Sequence, residues 1–173
     1  LVTSIERNPV ESLKENLLVK CVYRRTKHGD YQRDGNPFIY ALKRKSPYSI
    51  TNSELFRFRP SFKEILFKMC QDIDVDFVLG VPSSHQIVSH FGNRVARQIR
   101  AVYIDDYFSK QTVGDVLSTF SLNSVNDKHK KAVKKVLSTY RKLDANEEVS
   151  LKKIENKIRH YFEPVKINPN YSG

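Results

Sequence analysis

The sequence predicts an α/β fold built around a parallel β-sheet, and three observations near the middle of the chain support this prediction. Phe77–Leu79 and Val81 form an apolar run without an alternating polar face, as in a strand that is covered on both sides. From Gln86 to Ile99 apolar residues recur with helical spacing, so one face of a helix can pack on the sheet. Ala101–Ile104 is a second apolar run and predicts the next strand.

Upstream of this region the sequence predicts two short strands. Ile5–Cys21 has the character of a helix-like or extended lead, Leu18–Tyr23 predicts a strand, and Lys27–Asp30 predicts a turn. Phe38–Leu42 predicts a second strand, paired with the first through the glycine-bearing loop between them.

A longer helix should follow these strands. Thr51 or Ser53 is expected to cap it, and Pro60 is expected to interrupt or restart it. Its inward face runs up to Asp72 and consists of Phe62, Ile65, Leu66 and Met69.

The last third of the chain predicts two basic amphipathic helices. Asp115–Phe120 should be a short helix, followed by a polar break and then by a basic helix over Asp127–Leu143. Ser150–Tyr161 predicts a second helix of the same style. These helices either cover the sheet or dock a partner. The extended tail stops where another strand could begin, so we expect the native chain to continue beyond Gly173.

Length and composition limit the functional classes. The 173 residues correspond to one domain, or to one domain with an appendage. Cys21 and Cys70 form neither a metal-ligand spacing nor a disulfide framework, which indicates a reducing, intracellular setting. No apolar stretch approaches about twenty residues, so we expect a cytoplasmic protein that does not enter membranes. Zinc-ligand spacing, a Gly-x-Ser-x-Gly elbow and a P-loop pattern are absent from the sequence.

A polar loop, Pro82-Ser83-Ser84-His85, joins the first central strand to its helix. Ser83 and Ser84 are expected to cap this helix. The unpaired N–H groups of the first helical turn and the positive end of the helix dipole favour an anion there, and phosphate is the obvious candidate. The alternative is an ordinary strand, cap and helix connection, which many α/β proteins contain.

Three segments together resemble the type I phosphoribosyltransferase family, and most of all its ComF-like branch. They are Val81–His85, Phe91–Ala96 and Tyr107–Gly114, within a similarity that spans residues 36–115. The resemblance implies a Rossmann-like parallel sheet, preceded over residues 1–70 by an N-terminal, β-containing hood and a lead-in helix. It further implies a core over residues 71–126, which leaves a basic helical segment and tail over residues 127–173.

The same resemblance implies a site for phosphoribosyl pyrophosphate and Mg²⁺. Its phosphate-binding residues would be Pro82, Ser83, Ser84, His85, Asn93 and Thr112. Asp105 and Asp106 would be the catalytic acid pair and the metal ligands, and Lys110, from a lid over Ser109–Thr112, would neutralise charge on the leaving diphosphate. Domains of this type also occur beside reverse transcriptases in bacterial antiphage retron systems, which implies a role in antiviral defence.

One diagnostic part of the family pattern is missing in clean form. Five residues separate Asp105-Asp106 from Thr112-Val113-Gly114, whereas a phosphate-cradling turn needs small residues almost directly after the acids. We therefore interpret the two acids as the end of the second core strand, ahead of the lid. Either the missing loop lies beyond Gly173, or the fold has lost its phosphoribosyl chemistry.

The net charge of +11 favours polyanionic partners such as nucleic acid or a nucleoprotein complex. Two clusters of cations carry the candidate contacts: Arg24, Arg25, Lys27, Arg33, Lys43, Arg44 and Lys45 in the first, and Lys130, Lys131, Lys134 and Lys135 in the second. The alternative is a solvated surface that keeps the protein soluble. The rival to an enzyme is therefore an inactive form of the fold that binds nucleic acid or acts as a scaffold.

Overall fold

The computed structural model describes residues 1–14, 16–26, 29, 36–44 and 46–172, with Asn36 described by its backbone only. The chain divides into two compact units: unit 1 comprises Leu1–Val78 and Ser83–Ile104, and unit 2 comprises Leu79–Pro82 and Asp105–Gly173. The protein is of mixed α/β class, and each sheet in the described ranges has two strands. The α/β class is thus confirmed, while the larger parallel sheet stays a prediction. Across the same ranges, no helix combines the length and the apolarity that a membrane crossing requires.

Unit 1 begins with a 3₁₀ helix over Ile5–Arg7, which is followed by a β-hairpin. Strand β1 (Val10–Lys14) pairs antiparallel with β2 (Leu17–Cys21), and Asn16 in the turn has a φ of 69°, in the left-handed region that Asn tolerates. The strand expected near Leu18 is confirmed. The prediction that this strand pairs with Phe38–Leu42 was wrong, because β2 pairs with β1, the segment immediately before it.

Helix α1 (Asn36–Leu42) occupies the place of the second predicted strand. The prediction over Phe38–Leu42 was wrong, because so short an apolar run fits a buried helix as well as a strand. The Phe38 ring packs 4.8 Å from that of Phe58, centroid to centroid, so the apolar side chain is used in a helix contact. The turn predicted at Lys27–Asp30 lies almost wholly outside the described residues.

Helix α2 (Asn52–Cys70) has the predicted Thr51 cap. Thr51 Oγ1 accepts a hydrogen bond from the Glu54 N–H at 3.2 Å, and Glu54 Oε2 accepts one from the Thr51 N–H at 2.8 Å. The prediction of a break at Pro60 was wrong, since α2 continues through this residue. Pro60 lies on the exposed side, while the hydroxyl groups of Tyr23 and Ser61 both donate to the Phe58 carbonyl at 3.2 Å.

The core of unit 1 lies along the inner face of α2. Its buried members are Val22, Ile65, Leu66, Met69 and Cys70, and Val95 and Ile99 of helix α3 (Ile87–Ile99) pack against them. Two of the expected inward residues, Leu66 and Met69, are 5% and 4% exposed, and Ile65 is fully buried. The predicted inward face of α2 is therefore confirmed, and that of α3 is confirmed at Val95 and Ile99, while Phe91 is 38% exposed.

Strands β3 (Phe77–Leu79) and β4 (Val102–Ile104) form the second small sheet of the chain. The order strand, helix, strand is as predicted. The expectation that the first strand is covered on both faces was wrong for the described chain, because Phe77 is 57% and Val102 is 59% exposed. The other face lies against α3, where the Tyr103 ring packs over Gly92.

Unit 2 has its own hydrophobic core. Strand β5 (Phe108–Lys110) is followed by α4 (Val113–Thr119), by α5 (Asp127–Tyr140) and by strand β6 (Val165–Ile167), which pairs antiparallel with β5. The buried residues include Val113, Val116, Val133, Leu137, Ile154, Ile158 and Phe162.

The prediction of a second basic helix over Ser150–Tyr161 was wrong. The segment consists of two 3₁₀ helices, Leu151–Lys153 and Asn156–Tyr161, with extended backbone at Ile154 between them. Arg159 Nε donates to the Ile154 carbonyl at 2.8 Å and so satisfies a group that a continuous helix would have paired internally. The apolar residues of this segment still pack in the core, but they lie on or beside 3₁₀ turns.

Candidate functional site

The predicted phosphate loop, Pro82–His85, precedes the N-terminus of α3, but its serines do not cap the helix. The N-cap residue is Gln86, which makes no side-chain capping bond. Ser83 Oγ instead accepts a hydrogen bond from the His85 N–H at 3.1 Å, which forms a small turn within the loop. The capping role expected of Ser83 and Ser84 was therefore wrong, because the helix begins further along the chain.

This arrangement leaves donors at the start of α3. Within the part of the chain that the structure describes, the N–H groups of Ser83, Ser84 and Ile87 have no hydrogen-bond acceptor. Ser83 and Ser84 are exposed, so their amides are accessible to solvent. Asn93 lies further along α3 and donates its side-chain amide to the Ser89 carbonyl at 2.9 Å. The loop therefore offers free amides at the positive end of a helix dipole.

Asp105 and Asp106 directly follow β4 and are exposed, which confirms their interpretation as the end of the second strand. The described residues contain no group of three or more His, Cys, Asp or Glu side chains that could hold a metal ion. Two adjacent carboxylates fit Mg²⁺ only where substrate oxygens and water complete its coordination.

The segment expected to be a lid is regular structure in unit 2. Lys110 lies in β5, is half-buried, and its Nζ forms an ion pair with Glu148 Oε2 at 2.5 Å. Thr112 caps α4, since its Oγ1 accepts from the Asp115 N–H at 3.2 Å while Asp115 Oδ2 accepts from the Thr112 N–H at 2.8 Å. Both predicted site residues are thus engaged with groups of their own unit.

Asp115 also receives a hydrogen bond from Lys166 Nζ, at 2.7 Å. This bond and the one from the Thr112 N–H lower the pKa of the Asp115 carboxyl from 3.8 to about 2. The carboxylate therefore stays ionised well into the acid range and joins the start of α4 to β6. Sequence analysis missed this contact because it joins residues far apart in the chain.

The predicted cationic clusters are described in part. Lys27, Arg33 and Lys45 lie outside the described residues, while Arg24, Arg25 and Arg44 are exposed and Lys43 is half-buried. On α5, Lys130 is paired with Asp127 at 2.7 Å. The other predicted α5 contacts are exposed and, among the described residues, form no ion pair: Lys131, Lys134 and Lys135.

Sequence analysis did not identify a cleft between α2 and α3. It has a volume of about 320 Å³ and is lined by Phe62, Lys63, Leu66, Arg94, Arg97 and Gln98. The sequence carried one signal for this cleft, the repeated cations on outward positions of both helices. Only the packing of α2 on α3, however, brings these cations to one place. The cleft lies wholly within unit 1.

The described structure thus contains two sets of groups suited to anions in unit 1. One consists of the free amides at the start of α3, and the other of the cations in the α2–α3 cleft. In unit 2, Lys110 and Thr112 make contacts that stabilise the fold. Comparison of the chain with protein-family models, with curated proteins and with solved structures gave no match.

Proposed function

We propose that this chain is a phosphoribosyltransferase-like protein that binds the diphosphate of phosphoribosyl pyrophosphate, or of a nucleotide, at Pro82–His85. The observation that supports this proposal is the set of unpaired N–H groups on Ser83, Ser84 and Ile87 at the start of α3. Backbone amides at a helix N-terminus bind phosphate oxygens by direct donation, and the helix dipole adds to the attraction. Ser83 and Ser84 are exposed, so their amides can be reached from solvent.

The other parts of the proposal come from the resemblance. Asp105 and Asp106 would hold Mg²⁺, which when bound neutralises the diphosphate and stabilises it as a leaving group. Lys110 would add positive charge to the same group, and it would first have to leave Glu148, its present partner. Displacement at the anomeric carbon passes through an oxocarbenium-like transition state, in which electrostatic stabilisation contributes most. An association with a retron antiphage system belongs to the same proposal and rests on resemblance alone.

Calorimetric titration with phosphoribosyl pyrophosphate and Mg²⁺ tests the loop. The wild-type protein should release or absorb heat, and Ser83→Glu should abolish the signal by placing a negative charge beside the amides. Ser53→Glu is the matched control, because it puts the same charge in the first turn of α2, where Ser53 is also exposed. A silent wild type, or a Ser83→Glu variant that binds as well as Ser53→Glu, would contradict the proposal.

A second candidate function is an inactive phosphoribosyltransferase-like fold that binds nucleic acid or acts as a scaffold. Two observations favour it. Lys110 and Thr112 are committed to contacts within unit 2, and Lys131, Lys134 and Lys135 present unpaired positive charge along α5. Absence of heat with phosphoribosyl pyrophosphate, together with binding to DNA or RNA that weakens steeply with salt, would support this function over the first.

A further inference from the structure

The α2–α3 cleft carries an inference beyond the phosphate loop. Its floor is apolar, formed by Phe62 and Leu66 of α2, and its rim is cationic. The cations come from both helices, Lys63 from α2 and Arg94 and Arg97 from α3. The volume of about 320 Å³ is open to solvent on the side of these cations.

Among the residues that the structure describes, these three cations have no counter-ion. Within the described residues, Lys63, Arg94 and Arg97 form no ion pair, whereas Lys68 on the same α2 helix pairs with Glu64 at 3.5 Å. The described residues that line the cleft include no acidic side chain. Like charges brought together without a partner repel one another, so the arrangement favours an external anion.

Aromatic rings accompany these cations. The Arg94 guanidinium carbon lies 5.9 Å from the centre of the Phe62 ring. One helical turn before Lys63 on α2, the guanidinium carbon of Arg59 lies 5.7 Å from the centre of the Phe56 ring. Phe56 is 64% exposed, so most of its ring surface contacts no other part of the chain. Phe56, Arg59 and Lys63 therefore extend the cleft along α2 as a row of one aromatic and two cationic side chains.

We propose that the α2–α3 cleft and this row bind single-stranded nucleic acid. Lys63, Arg94 and Arg97 hold the phosphates, and Phe56 stacks on a base. Single strands suit such a surface because their bases are free to stack and their phosphates carry regularly spaced negative charge. The inference deepens the second candidate function, since it names a surface, but it requires nothing of the Pro82–His85 loop.

Fluorescence anisotropy with labelled oligothymidine and oligouridine of about 12 nucleotides measures the binding directly. Two charge-matched triple variants of the full chain are compared. The cleft variant is Lys63→Gln, Arg94→Gln and Arg97→Gln, and the surface control is Lys128→Gln, Lys142→Gln and Lys152→Gln, which lie outside the predicted cationic clusters. All six side chains are exposed, so both variants should fold, and far-UV circular dichroism checks this. Arg97→Gln alone provides a milder second variant.

The cleft variant should lose more than about tenfold in affinity, and its salt slope should fall by about 2, because roughly 0.7 counterions are released per single-strand phosphate contact. The surface control should lose clearly less. Equal losses in the two variants would show that only net charge matters and would overturn the proposal. Preference for oligothymidine or for oligouridine identifies the strand, and either supports the site.

Stacking is tested separately. Phe56→Ala should weaken binding by about tenfold while leaving the salt slope unchanged, because a base contact is lost and no phosphate contact is. Phe77→Ala, which removes a ring of similar exposure from β3, should have no effect. Two further results would overturn the proposal: no binding of either oligonucleotide, or competition by polyglutamate as strong as that by the oligonucleotide, which would indicate an acidic protein partner. Ser83→Glu should bind oligonucleotides normally, which separates this test from that of the phosphate loop.

Discussion

Gly92 is the residue at which the packing of α3 on β4 can be tested most directly. A Cβ atom at this position would lie 2.8 Å from Cζ and 2.9 Å from Cδ2 of Tyr103, where ordinary contacts are 3.4–4 Å. The Tyr103 ring would have to move, and such overpacking costs about 2 kcal/mol. Replacing a mid-helix glycine with alanine gains about 1 kcal/mol of helix propensity. Gly92→Ala should therefore lower the free energy of unfolding by about 1 kcal/mol.

Urea unfolding followed by far-UV circular dichroism gives this free energy, provided that the transition of unit 1 is resolved. The same substitution should change sign in a Tyr103→Ala background, where the methyl group has room and only the gain of about 1 kcal/mol is left. Asn93→Ala is the control, since Asn93 is exposed on the same helix and its replacement brings no clash. If Gly92→Ala stabilised the protein equally in both backgrounds, the Tyr103 ring could not lie over Gly92 and the reasoning would fail.

Three further predictions concern the cores and the helix caps. Ile65→Ala should lower the stability of unit 1 by about 2–5 kcal/mol in urea unfolding, because the side chain is fully buried; a loss of only a few tenths would contradict its burial. Thr51→Ala should cost about 1 kcal/mol by removing the capping bond to Glu54, whereas Ser53→Ala should change little; equal effects would argue against the cap. The Asp115 pKa is lowered from 3.8 to about 2, so its stabilisation is complete above the unfolded value and disappears as pH falls from about 4 to 2. Asp115→Asn should remove that part of the acid dependence in thermal melts of unit 2, and an unchanged pH profile would refute it.

The sequence predicted the elements whose signals are local. Thr51 and Glu54 carry a capping box within four residues, and the apolar spacing from Gln86 to Ile99 identifies α3. The order of β3, α3 and β4 follows from successive patterns of this kind. Asp105-Asp106 could be placed at the end of a strand because the apolar run stops there.

The errors have a common physical origin in tertiary context. Phe38–Leu42 is too short to distinguish helix from strand by pattern, and its contact with Phe58 favours the helix. Helix α2 passes Pro60 because its inner face is buried along the length that follows. Leu151 and Ile154 are three residues apart, which suits a 3₁₀ turn as well as an α-helix.

The candidate site shows the same division between local signals, which the sequence predicted, and tertiary contacts, which it did not predict. The loop at Ser83 was identified from its neighbours in sequence, but the turn that leaves its amides free depends on the bond from His85 to Ser83 Oγ. The α2–α3 cleft could not be predicted, because Lys63 and Arg94 meet only when the two helices pack. The ion pair between Lys110 and Glu148 could not be predicted either, because it joins segments on either side of α4 and α5.

The β5–β6 pairing of unit 2 can form only after β6 has been synthesised, because it spans the whole of α4 and α5. Phe108–Lys110 leave the ribosome well before Val165–Ile167. Asp115 likewise leaves the ribosome well before its partner Lys166. During that interval the nascent chain exposes a strand edge that can pair with other chains. A delay of elongation between these two segments should therefore promote aggregation more than a delay after β6 has emerged.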